Sequence, residues 1–128
     1  TNQCYEHIEV TNELGLRKID DKSLDFAFTL AFFNWNTCAA KGVAMKDGDG
    51  WLYDNGGEGA NACKLRIVRQ GDAIVLRTDE VANCSAYCGE RGNIDGAEFA
   101  ISSRTASEMS ARDIECILPE SAENGETC

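Results

Sequence analysis

Histidine and proline are nearly absent: the 128-residue chain has one of each, His7 and Pro119. Basic residues are also scarce, 12 against 22 acidic ones, leaving a formal net charge of −10. A chain this acidic is poorly suited to coating nucleic acid or an anionic membrane surface. No apolar run approaches the ~20 residues that a membrane-crossing helix needs, so no transmembrane segment is expected. A histidine-based nucleophilic site has only His7 to draw on, in a predicted strand near the N-terminus, where a hydrogen-bonded or exposed histidine is the simpler reading. No glycine-rich loop sits between a strand and a helix to cradle phosphate. Carboxylates are too numerous for any one pair to be singled out as acid and base. The chain is therefore read as a non-enzyme with no cofactor and no metal.

Cysteine is plentiful. The seven cysteines, Cys4, Cys38, Cys63, Cys84, Cys88, Cys116 and Cys128, are spread over the whole length. Zinc sites show paired, closely spaced ligands, and only Cys84 and Cys88 are close here. All seven are disulfide candidates, which points to an oxidising compartment, periplasmic or secreted. An odd count leaves one thiol over or one bridge between chains, so a monomer and a disulfide-linked dimer both stay open, as does the connectivity. With Thr1 first and no signal-like apolar segment, the chain reads as a mature product whose export signal is gone, with lipidation of Cys4 as the lesser alternative. Asn83-Cys84-Ser85 matches a glycosylation sequon, which would be idle if the protein is bacterial and is poorer still with Cys84 in a bridge, so it is set aside.

The length suits one domain over 1–128, with no repeat or linker. Leu24, Phe26, Phe28, Leu30 and Phe32 alternate with smaller residues, which is the period of a strand with one apolar face. Asn34-Trp35-Asn36 then reads as a turn. Gly42 to Met45 is a short, weaker strand, Lys46 to Gly50 is turn chemistry, and Trp51 to Tyr53 is a strand fragment. Cys63, Leu65 and Ile67 alternate with Lys64 and Arg66, and Gln70-Gly71-Asp72 folds this strand onto Ala73 to Arg77 as a hairpin. His7 to Val10 and Leu14 to Ile19 are further strands, and a glycine-bearing turn lies within Ile94 to Phe99. Near the C-terminus Thr105 and Glu108 form a capping box for a helix that Pro119 stops, with a last strand over Ile114 to Leu118 as the alternative. The fold expected is mainly β: a small, disulfide-bridged antiparallel barrel or sandwich.

Asp47-Gly48-Asp49-Gly50 through Glu58 imitates a calcium loop, but Trp51 stands where a ligand belongs and Leu52 where glycine is required. Two acidic turns around a short aromatic strand describe it better. Asp47, Asp49, Asp54 and Glu58 surround Trp51 and Tyr53. Aromatics supply anchoring area and carboxylates speed encounter with a positive protein, so these residues, with Gly50, form the candidate partner-binding site. A second acidic group, Glu108, Asp113, Glu115, Glu120, Glu123 and Glu126, lies in the last 24 residues against Arg112 alone. A solvated acidic face is the simpler alternative for both groups.

Two stretches resemble known proteins. Cys84-Ser85-Ala86-Tyr87-Cys88-Gly89-Glu90-Arg91-Gly92, followed by Asp95 to Phe99 and preceded by Cys63-Lys64-Leu65-Arg66-Ile67, is similar to a C-x-x-Y-C-G-x-R-G pattern in small exported proteins of Gram-negative bacteria. That resemblance covers about a third of the chain and implies export and cysteine bridging. Asp49-Gly50-Trp51-Leu52-Tyr53 is similar to the S-G-x-x-Y loop of periplasmic C-type lysozyme inhibitors, with Asp49 in place of the serine and Lys41-Gly42 the only Lys-Gly turn, upstream rather than downstream. This resemblance implies that Gly50 and Tyr53 belong to an inhibitory loop. The function expected is a periplasmic inhibitor, or an immunity protein against a rival's effector, that occludes a basic partner such as a lysozyme or peptidoglycan hydrolase. An envelope structural or assembly protein is the alternative.

Overall fold

Residues Ser23 to Ala31 follow the alternation on which the barrel is built: Leu24, Phe26, Phe28 and Leu30 are buried, and the residues between them are half-buried or exposed. One apolar side chain at every second position gives a ribbon with one face that must be covered. In the computed structural model, which describes residues 12–31, 37–88, 94–103 and 117–118, seven such ribbons lie side by side. They are β1 (Glu13–Lys18), β2 (Ser23–Ala31), β3 (Thr37–Asp47), β4 (Gly50–Asp54), β5 (Cys63–Gln70), β6 (Ala73–Asn83) and β7 (Glu98–Ala100). Each pairs antiparallel with the next, in chain order, as a single sheet. The sheet curls into a nearly closed barrel. One sheet rather than two decides between the barrel and the sandwich.

The register matches large residues to small ones across the interior. Phe26 opposes Gly42, Phe28 opposes Ala40, Leu24 opposes Ala44 and Leu30 opposes Cys38. Strand β3 therefore makes room for β2, which explains why it looked weak by hydrophobicity. Only Gly42 to Met45 suggested a strand, yet β3 runs for 11 residues from Thr37 to Asp47. Its inward positions are too small to give a strong apolar signal, and its long pairing with β2 supplies what that signal lacks. The interior is filled by side chains from every strand, with Leu65, Ile67, Leu76 and Ile94 fully buried alongside Trp51. Outward positions carry Arg17, Asp25, Lys41, Lys64, Arg66 and Arg77, several of them exposed. This is the reverse of a membrane-spanning barrel, whose outer band is apolar.

Two hairpins close with the same pair of residues. Gly48-Asp49 joins β3 to β4 and Gly71-Asp72 joins β5 to β6, the glycines at φ +59° and +60°. A β-branched or bulky residue is strained there, whereas glycine is not. The Lys46 to Gly50 turn is thus only two residues long, and the Gln70-Gly71-Asp72 hairpin forms where the sequence placed it. Gly50 is different: a Cβ there would lie 2.7 Å from the Ile67 carbonyl oxygen and 3.0 Å from a Val68 methyl. Gly50→Ala would push β4 off β5 at its first residue. A loss of about 1–3 kcal/mol is expected, read by denaturant unfolding, as for other overpacked sites. Unchanged stability would mean that the two strands have room to separate.

Two disulfides join Cys38 to Cys88 and Cys63 to Cys84. With those four cysteines paired to one another, parity leaves the odd cysteine among Cys4, Cys116 and Cys128, which lie outside the described residues. Also outside them are the His7 to Val10 strand, the Asn34 to Asn36 turn, Arg91, and the helix or last strand near the C-terminus except for Ile117 and Leu118. No helix among the described residues is long and apolar enough to cross a membrane.

Candidate functional site

In an up-and-down barrel alternate turns gather at the same rim. The β1–β2, β3–β4 and β5–β6 turns share one end, and Lys46 N–H donates to the Lys22 carbonyl at 2.8 Å to join the first two. Strand β4 runs from this near rim to the far one. Its first residue, Gly50, and its last, Asp54, stand about 13 Å apart at the usual rise of ~3.3 Å per residue. The structure therefore divides the candidate partner-binding set. Asp47, Asp49 and Gly50 lie at the near rim, and Asp54 and Glu58 at the far rim. Trp51 and Tyr53 point inward between them.

At the near rim Asp49 is exposed, while the Asp47 carboxylate accepts from Arg66 across two strands. Trp51 is 1% exposed. Its Nε1 donates to the Ile117 carbonyl at 2.8 Å, and the Arg69 guanidinium donates to the Leu118 carbonyl at 3.0 Å. Ile117 and Leu118 are themselves buried, so these two residues help close the core near this rim. Lys46 Nζ stands 5.0 Å from the Trp51 ring centroid. The indole is thus a core side chain capped by a cation, and its face is not offered to a partner.

Tyr53 is half-buried. Its ring meets Phe26 edge-on at 5.0 Å and occupies the space that Gly42 leaves, where a Cβ would come within 2.7 Å of it. Its hydroxyl lies 3.3 Å from that of Tyr87. The Tyr87 contact, and burial after it, push the Tyr53 phenol up to about 12 from its ordinary 10.0. The raised value means that the folded state holds this proton more tightly than the unfolded state does. The associated stability is present in full below pH 10 and is lost as pH climbs from 10 towards 12. Tyr53→Phe is expected to remove that part of the alkaline destabilisation, followed by phenolate absorbance and unfolding midpoint across this range. An identical alkaline profile would place the titration elsewhere.

At the far rim the chain from Asp54 to Ala62 is held from within. Asn55 Oδ1 accepts from the amides of Gly57 at 2.8 Å and Cys63 at 3.0 Å. Its Nδ2 donates to the Asn61 carbonyl at 2.8 Å and to Tyr87 Oη at 3.2 Å. Both ends of one amide are thus used in ordering the loop. Asp54 Oδ1 accepts from Gly56 N–H at 2.9 Å. Glu58 is exposed, and its carboxylate caps nothing in the short turn Gly59–Asn61 that follows it.

A second segment braces this loop. Only Met45 to Asp47 of β3 pair with β4, so the β3 edge from Thr37 to Ala44 has no ladder partner from that strand. The turn Ser85–Tyr87 lies there, bounded by Cys84 and Cys88. Cys88 pairs with Cys38 on β3 through backbone and disulfide, while Cys84 is bonded to Cys63 on β5. Cys84 takes a left-handed conformation, φ 65°, to turn the chain. The five residues Cys84 to Cys88 are stapled at both ends across the end of β4, and Tyr87 reaches Tyr53 and Asn55. The sequence marked Cys84 to Cys88 as a pattern and left its bonding open. Nothing in the sequence singled out the role of Asn55.

Among the described residues no three His, Cys, Asp or Glu side chains are grouped to hold a metal ion. No protein-family model matches the chain, and neither a curated protein nor a solved structure matches it.

Proposed function

We propose that this chain is an exported binding protein that occludes a cationic cell-wall hydrolase, a lysozyme-like enzyme or a rival's effector, with the far-rim loop Asp54 to Ala62 as the occluding element. The observation that carries this reading is the Asn55-ordered loop with Asp54 and Glu58 exposed upon it. A loop already ordered before binding loses little conformational freedom on docking, which favours affinity. Exposed carboxylates speed encounter with a basic partner and repel acidic ones. The two disulfides fit an oxidising compartment, where cell-wall hydrolases act.

The test is inhibition of a C-type lysozyme and of a peptidoglycan amidase by the full chain, at rising salt. Inhibition is expected to weaken steeply with ionic strength. Glu58→Lys with Asp54→Lys is expected to weaken it about tenfold or more at unchanged melting temperature, and Asp49→Lys, at the opposite rim, to leave it within about twofold. Loss of inhibition with Asp49→Lys alone would move the site to the near rim. No inhibition by the unaltered chain would dismiss the hydrolase reading.

One observation favours the alternative, an envelope assembly protein without inhibitory activity. Ile19, just after β1, and Val43 and Met45, in the second half of β3, are 49%, 45% and 53% exposed. Neighbouring exposed apolar side chains are a feature of contact surfaces. On that reading Met45→Lys would abolish assembly in the envelope and leave the far-rim variants silent.

A further inference from the structure

The two disulfides differ in access. Cys63 and Cys84 are both buried, whereas Cys38 is buried and its partner Cys88 is only half-buried. Thiol exchange requires a thiolate to reach one sulfur of the bridge. Tyr87 immediately precedes Cys88, and its hydroxyl touches both Tyr53 and Asn55. Asn55 in turn orders Gly57, Asn61 and Cys63. A chain of contacts thus runs from the more accessible bridge to the exposed loop.

We propose that the Cys38–Cys88 disulfide is a redox-addressable lock on the loop 54–62: a small dithiol opens it before Cys63–Cys84, and its opening loosens the loop while the barrel persists. A thiolate of the dithiol attacks Cys88 Sγ, and Cys38 departs as a thiolate that takes up a proton. The second sulfur of the dithiol then displaces Cys88, which leaves as a thiol, and the dithiol becomes a cyclic disulfide. Two electrons and two protons pass from the dithiol to the bridge. With the bridge open, only the backbone pairing with Cys38 still joins Cys88 to β3, so Tyr87 keeps its covalent staple on the Cys84 side alone and Asn55 Nδ2 has a less firmly fixed acceptor. As regulation of partner binding, the lock rests on the reading that this loop meets the partner. As a device it does not, and it is tested with no partner present.

The experiment is graded reduction of the full chain with dithiothreitol, followed by alkylation, peptide mapping and amide hydrogen exchange. Of the four cysteines in the two bridges, Cys38 and Cys88 are expected to be alkylated before Cys63 and Cys84. At that stage the amides of Gly57 and Cys63 should exchange roughly two- to tenfold faster, the factor that one ordinary hydrogen bond represents. The amides pairing β1 with β2 should stay slow. Tyr87→Phe, which keeps both bridges, should reproduce the quickening at Gly57 and Cys63 in the oxidised protein. Three results would overturn the lock: opening of Cys63–Cys84 first or simultaneously, a loop whose exchange is unmoved once Cys38–Cys88 is open, or loss of β1–β2 protection at the same step. Inhibition assayed at that stage separates the two readings: a loosened loop with unchanged inhibition would leave the lock standing and remove the loop from the binding site.

Discussion

Trp51→Ala is expected to destabilise the fold by about 3–5 kcal/mol, the usual range for emptying a buried aromatic position. For a domain of this size that is a fall in melting temperature of about 10–20 °C. The indole is 1% exposed, and its Nε1 supplies the donor to the Ile117 carbonyl, so the change opens a cavity and leaves that carbonyl without its indole donor. Trp51→Phe retains most of the ring area but loses the donor, and should cost less, about 1–2 kcal/mol. Partner binding, corrected for the folded fraction, should be unchanged in both. If Trp51→Ala melted like the unaltered chain and bound nothing, the indole would be a surface anchor after all.

Removal of the disulfides gives the second large effect, and the two bridges should rank by the loops they close. Cys38 and Cys88 are 50 residues apart, Cys63 and Cys84 only 21. Restricting the unfolded chain over those spans is worth about 4 and about 3 kcal/mol on the chain-entropy account. Cys38→Ser with Cys88→Ser is therefore expected to lower the unfolding free energy more than Cys63→Ser with Cys84→Ser, by equilibrium denaturation at fixed pH. The reverse ranking would show that strain or burial at Cys63 and Cys84, rather than chain entropy, sets the contribution of each bridge. It would leave untouched the order in which a dithiol opens them, because access to sulfur governs that order.

The division of labour between local pattern and global fold is visible residue by residue. The strand over Ser23 to Ala31 was legible because Leu24, Phe26, Phe28 and Leu30 carry the period by themselves. The Gly71-Asp72 hairpin was legible because two alternating runs flank it. Strand β3 was half hidden, since Cys38, Ala40, Gly42 and Ala44 are small for the reason that β2 is large, and a complementarity between strands leaves little mark on either one alone. The aromatic–acidic stretch from Asp47 to Glu58 looked like one site in linear order. Folding as a strand, it put its aromatics inside and its carboxylates at opposite rims.

By itself, then, the sequence determined the class of fold and the need for oxidised cysteines. Strand periodicity and turn preferences act over two to four residues, and composition over none. The choice of partners belongs to the tertiary structure: Cys38 with Cys88, Trp51 with Ile117, Tyr87 with Tyr53 and Asn55. These contacts span 32 to 66 residues, and they exist because the sheet curls and brings residues distant in the chain to a common rim.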